Sequence, residues 1–198
     1  MERVVLTFMM VCVFLLNSSS LALPPQLVIG IDVSGSMMKR YNQMLDMIHL
    51  LKEKLKVPYE MYAFSDSCQR LRTEKDIIIG GGTATSTFFN EVLKDKRGLP
   101  KAIVMITDGF PNAEDAPIAV KLADKLRKKG VKICVAFLDK NQQETEFLRK
   151  IADVRIFEDN MIEALQKCLS TKAMKTLKVN EDFLNFDLNS YIKQQIPF

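Results

Sequence analysis

The chain has 198 residues, 47% of them hydrophobic and 26% charged, with a formal net charge of +4. That length can bury one sizeable core, and the balance excludes a disordered or low-complexity protein. The mild positive charge argues against a nucleic-acid binder, because the densest basic run, Lys125 to Lys129, falls at the end of a predicted helix, where cations suit the negative pole of the helix dipole.

Arg3 precedes an uncharged apolar run from Val4 to Leu16, followed by a short polar patch that ends in Ser20-Leu21-Ala22. The run is shorter than the about 20 residues a membrane-spanning helix needs. It has the three-part layout of a secretory signal peptide, with cleavage expected after Ala22. A secreted, periplasmic or otherwise extracellular protein is therefore expected. The alternatives are an uncleaved membrane anchor, the only membrane contact foreseen, or an intracellular chain whose N-terminus packs on the domain.

Without residues 1–22 the chain keeps Cys68, Cys134 and Cys168. Their odd number and spacing suggest neither a disulfide framework nor a zinc site. Cys134 sits in a strand-like apolar run and reads as a small core residue.

Strands are expected at 26–32, 57–64, 101–107 and 131–138, with a weaker one at 153–157. Runs such as KAIVMIT and VKICVAFL are almost continuously apolar, as in strands buried on both faces. A short antiparallel edge strand near 68–72 follows the turn-like Ser65-Asp66-Ser67. The segment 39–55 carries Tyr41, Met44, Leu45, Ile48, Leu51 and Leu55 at helical spacing. So does 116–129, with Ile118, Ala119, Leu122, Ala123 and Leu126, Pro117 in its first turn and Gly130 just past its end. Asn141-Gln142-Gln143-Glu144 opens a further helix like a capping box. Asp159 or Asn160 caps the next, through Ile162, Leu165 and Leu169. This alternation predicts an α/β domain, a doubly wound, mostly parallel sheet covered by helices on both faces. The domain is expected over residues 25–171. The tail 172–198, with Phe183, Phe186 and Tyr191, reads as a packed helix or a partner-binding segment.

In such sheets ligands sit beyond the carboxyl ends of the strands. The first strand ends in Asp32, followed by Ser34 and Ser36 at every second position. The loop Gly80-Gly81-Gly82 leads to Thr83, and the strand at 101–107 leads to Asp108. The pooled side chains are carboxylates and hydroxyls, with no histidine or cysteine. An all-oxygen set suits Mg²⁺ or Mn²⁺ rather than zinc. A cation held mostly by neutral hydroxyls keeps much of its charge and favours a carboxylate from outside the protein as its last ligand.

With these three loops the chain resembles the von Willebrand factor type A domain. Its metal-ion-dependent adhesion site (MIDAS) has the pattern Asp-x-Ser-x-Ser, a distant Thr and a distant Asp. The resemblance implies a Rossmann-like fold over 25–171, with Ser34, Ser36 and Thr83 as direct metal ligands. It gives Asp32 and Asp108 roles mainly through waters or hydrogen bonds. It also implies a non-catalytic module that engages an acidic residue of a protein partner. Two other readings stand beside it: a Mg²⁺-dependent hydrolase or phosphoryl-transfer enzyme, and a scaffold acting through the tail. Against the enzyme, the glycine loop lacks the Gly-Lys-Ser/Thr of a P-loop and no Gly-x-Ser-x-Gly elbow is present. The single histidine, His49, lies on the flank of a predicted helix.

Overall fold

The computed structural model describes residues 23–54, 57–109, 111–138, 146–157, 163–164 and 167–168. Six strands run through it: β1 (Leu27–Asp32), β2 (Tyr59–Phe64), β3 (Cys68–Leu71), β4 (Ala102–Thr107), β5 (Lys132–Phe137) and β6 (Val154–Ile156). Four α-helices are described: α1 (Tyr41–Lys54), α2 (Thr85–Lys94), α3 (Ala116–Lys128) and α4 (Glu146–Ile151).

The strands form one sheet in the order β3-β2-β1-β4-β5-β6. All pairs are parallel except the β2–β3 edge. This is the expected doubly wound α/β architecture, antiparallel edge strand included. Every residue of β1 and β4 is buried, which explains why their sequences are apolar without alternation.

Side chains still alternate between two cores. Leu27, Ile29 and Ile31 of β1 join Met44, Ile48 and Leu51 of α1 on one face. Val28 joins Phe88 and Phe89 of α2, Ala119 and Ala123 of α3, and Leu148 and Ile151 of α4 on the other. Of the predicted α1 stripe, Met44, Ile48 and Leu51 are buried and Leu45 partly so, Tyr41 is exposed, and Leu55 lies outside the described residues. In α3 Ala119, Ala123 and Leu126 are buried, but Ile118 is exposed.

Strand ends differ slightly from expectation, for local reasons. Pro58 has no N–H to give to a ladder, and β2 begins at Tyr59 rather than 57. The amide of Val131 bonds back to Leu126 O at 3.1 Å and closes α3, so β5 starts one residue later. The expected helix over 39–55 is two pieces: a 3-10 helix over Gly35–Arg40, then α1 from Tyr41. The capping sequences at 141–144 and 159–160 lie outside the described residues. So do residues 1–22 and the tail. Among the described residues no helix is long and apolar enough to cross a membrane.

One expectation is corrected. Cys134 is a buried core residue, but it is not a free one: it forms a disulfide with Cys168, their Cα atoms 6.1 Å apart. The separation of 34 residues in sequence gave no hint of pairing. The fold returns the chain across the β5–β6 side of the sheet and brings the two thiols together.

Candidate metal centre

Chain connections leave the sheet in opposite directions from β1 and β4, and between these two strands the order reverses. Loops diverging there open a crevice at the carboxyl edge. Asp32 ends β1, and Asp108 follows directly on β4.

Asp32 is fully buried and tightly oriented. Its Oδ1 accepts the amide of Ser34 at 2.9 Å, and its Oδ2 accepts the hydroxyl of Thr107 at 2.6 Å. Thr107 Oγ1 in turn accepts the amide of Gly109 at 3.0 Å. Burial pushes the Asp32 carboxyl above its usual range; the hydrogen bonds from Thr107 and Ser34 oppose this, and the charge of Asp108 adds to it. The hydroxyls of Ser34 and Ser36 lie 3.1 Å apart, with Ser34 buried and Ser36 exposed. The alternate spacing thus turns both side chains toward one point, as expected.

The glycine loop is stitched to this segment by backbone. Gly35 N donates to Gly81 O at 3.0 Å, and Gly80 N donates to Val33 O at 2.8 Å. Gly81 has φ +78°, a left-handed conformation that favours glycine. A Cβ on Gly82 would lie 2.7 Å from Asp66 Oδ1 and 2.8 Å from Asn112 Nδ2. The loop can approach its neighbours this closely only without a side chain.

Thr83, buried, follows at the start of α2. Its amide donates to Asn112 Oδ1 at 3.2 Å, and Asn112 N donates to Thr83 O at 2.8 Å. Asp66 Oδ2 accepts the amide of Gly82 at 2.9 Å, so the Ser65–Ser67 turn also reaches this edge. Buried Asp115 accepts the amide of Ser86 at 3.1 Å and anchors the first turn of α2. Thr107 was read from sequence only as a polar residue at its strand's end, and Asn112 and Asp115 were not singled out. Their only signal is a polar residue near a strand end or helix start, which most such residues share. Thr85, two residues after Thr83, is the first residue of α2 and also buried.

All five predicted residues therefore stand on neighbouring loops of one sheet edge. Asp108 adds a chemical anomaly: its Oδ1 is buried and, among the described residues, accepts no hydrogen bond. A carboxylate oxygen in that state lacks compensation for its lost hydration, unless something positive approaches it. The set of two carboxylates and three hydroxyls fits a hard divalent cation.

No protein-family model matches the chain, and no curated protein matches it. Solved structures do. Proximal thread matrix protein 1 from the mussel byssus is similar at a TM-score of 0.54 and 20% identity, over 72% of this chain and 44% of that one. Another structure of it, with a zinc-occupied MIDAS motif, gives 0.55 and 16% identity over 74% of this chain and 46% of that one. The manganese-loaded TRAP protein of Plasmodium vivax gives 0.52 and 16% identity over 81% of this chain and 73% of that one. This chain thus spans under half the length of the mussel protein. At these identities the likeness is one of fold: the chain has the von Willebrand factor type A fold.

Proposed function

We propose that the chain is a divalent-cation-dependent protein-binding domain whose carboxyl sheet edge is a MIDAS. Ser34, Ser36 and Thr83 would hold the ion directly, with Asp32 and Asp108 balancing its charge through waters or hydrogen bonds. Mg²⁺ or Mn²⁺ is the expected occupant. Once bound, the ion supplies a Lewis-acidic point that a carboxylate of a protein partner completes. The observation that carries this reading is the buried Oδ1 of Asp108, without a hydrogen-bond partner among the described residues, beside the buried Asp32.

The chain's own residues do the preparatory work. Thr107 fixes the Asp32 carboxylate, and the Ser34 amide locks its other oxygen. Asp66 and Asn112 hold the glycine loop, and with it Thr83, from two further loops, while backbone bonds of Gly80 and Gly81 tie it to the first loop. These contacts order the donors before any ligand arrives, which lowers the cost of binding.

We read the site as non-catalytic. His49 is exposed on α1 and stands 3.8 Å from Glu74. Cys68 lies on β3, its thiol pushed up to about 12 by burial, so at neutral pH it is no nucleophile. The Cys134–Cys168 disulfide supports an oxidising compartment and hence export, in line with the signal-like N-terminus. The neighbours hold manganese and zinc. Zinc in one of them weakens the sequence-based argument against that metal, so a test should include it.

The test is calorimetric titration of the metal-free chain with Mg²⁺, Mn²⁺ and Zn²⁺, followed by capture of acidic partners with and without chelator. The expected result is saturable binding of one ion, lost in Asp32→Ala and in Ser34→Ala/Ser36→Ala. Partner capture should be lost in the same variants. Capture indifferent to chelation and to these substitutions would sink the proposal and favour a scaffold acting through residues 172–198.

A further inference from the structure

Helices that cross between parallel strands end at the amino edge of the sheet, opposite the metal edge. Cations suit the negative poles that gather there. Lys96 follows α2, and Lys128 and Lys129 close α3; all three are exposed. Lys101 is exposed too, but it lies on the loop before β4, where no helix dipole calls for it.

Backbone contacts put these residues on one edge. The amide of Lys132, the first residue of β5, donates to Lys101 O at 3.0 Å, and the amide of Lys101 donates to Gln26 O at 3.0 Å. Residues 26, 101 and 132 thus stand side by side where β1, β4 and β5 begin. Lys128 and Lys129 precede Lys132 in a turn closed by the Gly130 amide on Arg127 O at 2.9 Å. Leu23 and Pro24 reach the same edge, since a Cβ on Gly98 would lie 3.5 Å from the Pro24 ring. Leu23 is 86% exposed, the most of any large apolar side chain among the described residues. The neighbouring carboxylates are already matched: Arg97 holds Glu60 and Asp95, and Arg127 holds Asp124 and Asp153. Among the described residues none of Lys96, Lys101, Lys128 and Lys129 pairs with a carboxylate.

We propose that the amino edge is a membrane-facing surface, on which these four lysines lie against the anionic headgroups of a bilayer and Leu23 enters its interface. A soluble polyanion would match the lysines but give Leu23 nothing to be buried in. A bilayer interface satisfies both, and a polybasic patch joined to an apolar anchor is the combination that holds a peripheral protein to a membrane. The sequence before Leu23 fits the same surface. Its apolar run Val4–Leu16 is separated from Leu23 only by residues 17–22. Left in place, that run adds to the apolar anchor; cleaved after Ala22, it leaves the α-ammonium of Leu23 to add to the lysines. The inference does not rest on the metal. The six residues of β1 span about 20 Å at ~3.3 Å each, so the metal edge faces away from the lipid, open to a partner.

The experiment is co-sedimentation of the full chain, its N-terminus fixed by mass measurement, with vesicles of phosphatidylcholine alone or mixed with phosphatidylglycerol. The mixed vesicles should bind the chain more tightly, and added salt should weaken that preference. A lysine at an anionic surface contributes roughly fivefold, so Lys101→Gln/Lys129→Gln should weaken binding to the mixed vesicles about twentyfold. Lys39→Gln/Lys121→Gln removes the same charge from exposed positions away from this edge and should weaken it less than about twofold. Leu23→Ser should weaken binding without changing its dependence on salt, and chelator should change none of these results. Equal binding to both kinds of vesicle, or equal losses in the two lysine pairs, would overturn the membrane-facing surface. Tighter binding to a sulfated polysaccharide or to DNA than to the mixed vesicles, unaltered in Leu23→Ser, would make the edge a soluble-polyanion site and overturn it too. Either failure would leave the metal site standing, because that site takes no part in the measurement.

Discussion

Asp32 and Asp108 are both buried, and Asp108 Oδ1 accepts no hydrogen bond among the described residues. In a metal-free chain such an oxygen costs stability, because its hydration has been removed and not replaced. Asp108→Asn should therefore leave the metal-free Tm unchanged or raise it. The same substitution should abolish the stabilisation that metal confers on the natural chain, about 2.7 kcal/mol at an ion concentration one hundred times Kd. Thermal melts with and without Mn²⁺ decide this. A metal-free loss above about 2 kcal/mol in Asp108→Asn would mean that the carboxylate has a structural partner instead.

Elements are held in register by two devices that differ in kind. Gly30, in β1, leaves room for Phe88 of α2: a Cβ there would lie 2.4 Å from the Phe88 ring. Phe88 also stacks on Phe64 of β2, with ring centroids 5.3 Å apart, so it has little freedom to retreat. Gly30→Ala should cost about 1–3 kcal/mol by overpacking, measured by urea unfolding.

The second device is ionic. Arg97, beyond α2, donates to Glu60 of β2 at 2.6 and 2.8 Å and to Asp95 at 2.6 and 3.0 Å. These hydrogen bonds hold both carboxyls below their usual range, against the opposing effect of partial burial. Groups depressed in the folded chain bind fewer protons there than in the unfolded one. Their stabilisation is complete above about pH 4–5 and is lost as pH falls through the depressed values. Arg97→Met should be about 1–3 kcal/mol less stable at pH 7. The difference from the natural chain should shrink toward pH 3. A gap that stays constant from pH 7 to pH 3 would show that packing, not charge, accounts for the loss.

At the scale of the molecule, the Cys134–Cys168 bond ties residue 168 to the middle of β5 and closes a loop of 34 residues. Cross-linking a loop of that length limits the unfolded chain, and removing the bond should cost about 2–4 kcal/mol. Cys134→Ala/Cys168→Ala should lower the unfolding midpoint accordingly, and reducing agent should lower it in the natural chain but not in the variant. An equal effect of reductant on both would deny the bond in solution. The sheet and the metal edge do not depend on this tie directly, so the fold should survive its loss.

The fold class was legible because it is written in short-range pattern. Continuous apolar runs specify strands buried on both faces, as β1 and β4 are, and spaced stripes such as Met44, Ile48 and Leu51 specify helices that cover them. The five candidate ligands were legible for a related reason: strand ends and a glycine loop mark one edge of a doubly wound sheet, and oxygen-bearing side chains at those points stand out. Only tertiary structure decided what holds that edge in shape. Asp66 and Asn112 meet Gly82 and Thr83 from segments 16 and 29 residues away, and Thr107 meets Asp32 across 75. The disulfide belongs to the same class. Each depends on which segments the chain brings together after collapse. Local spacing carries no record of those meetings, because the intervening residues set only the length of the path between them.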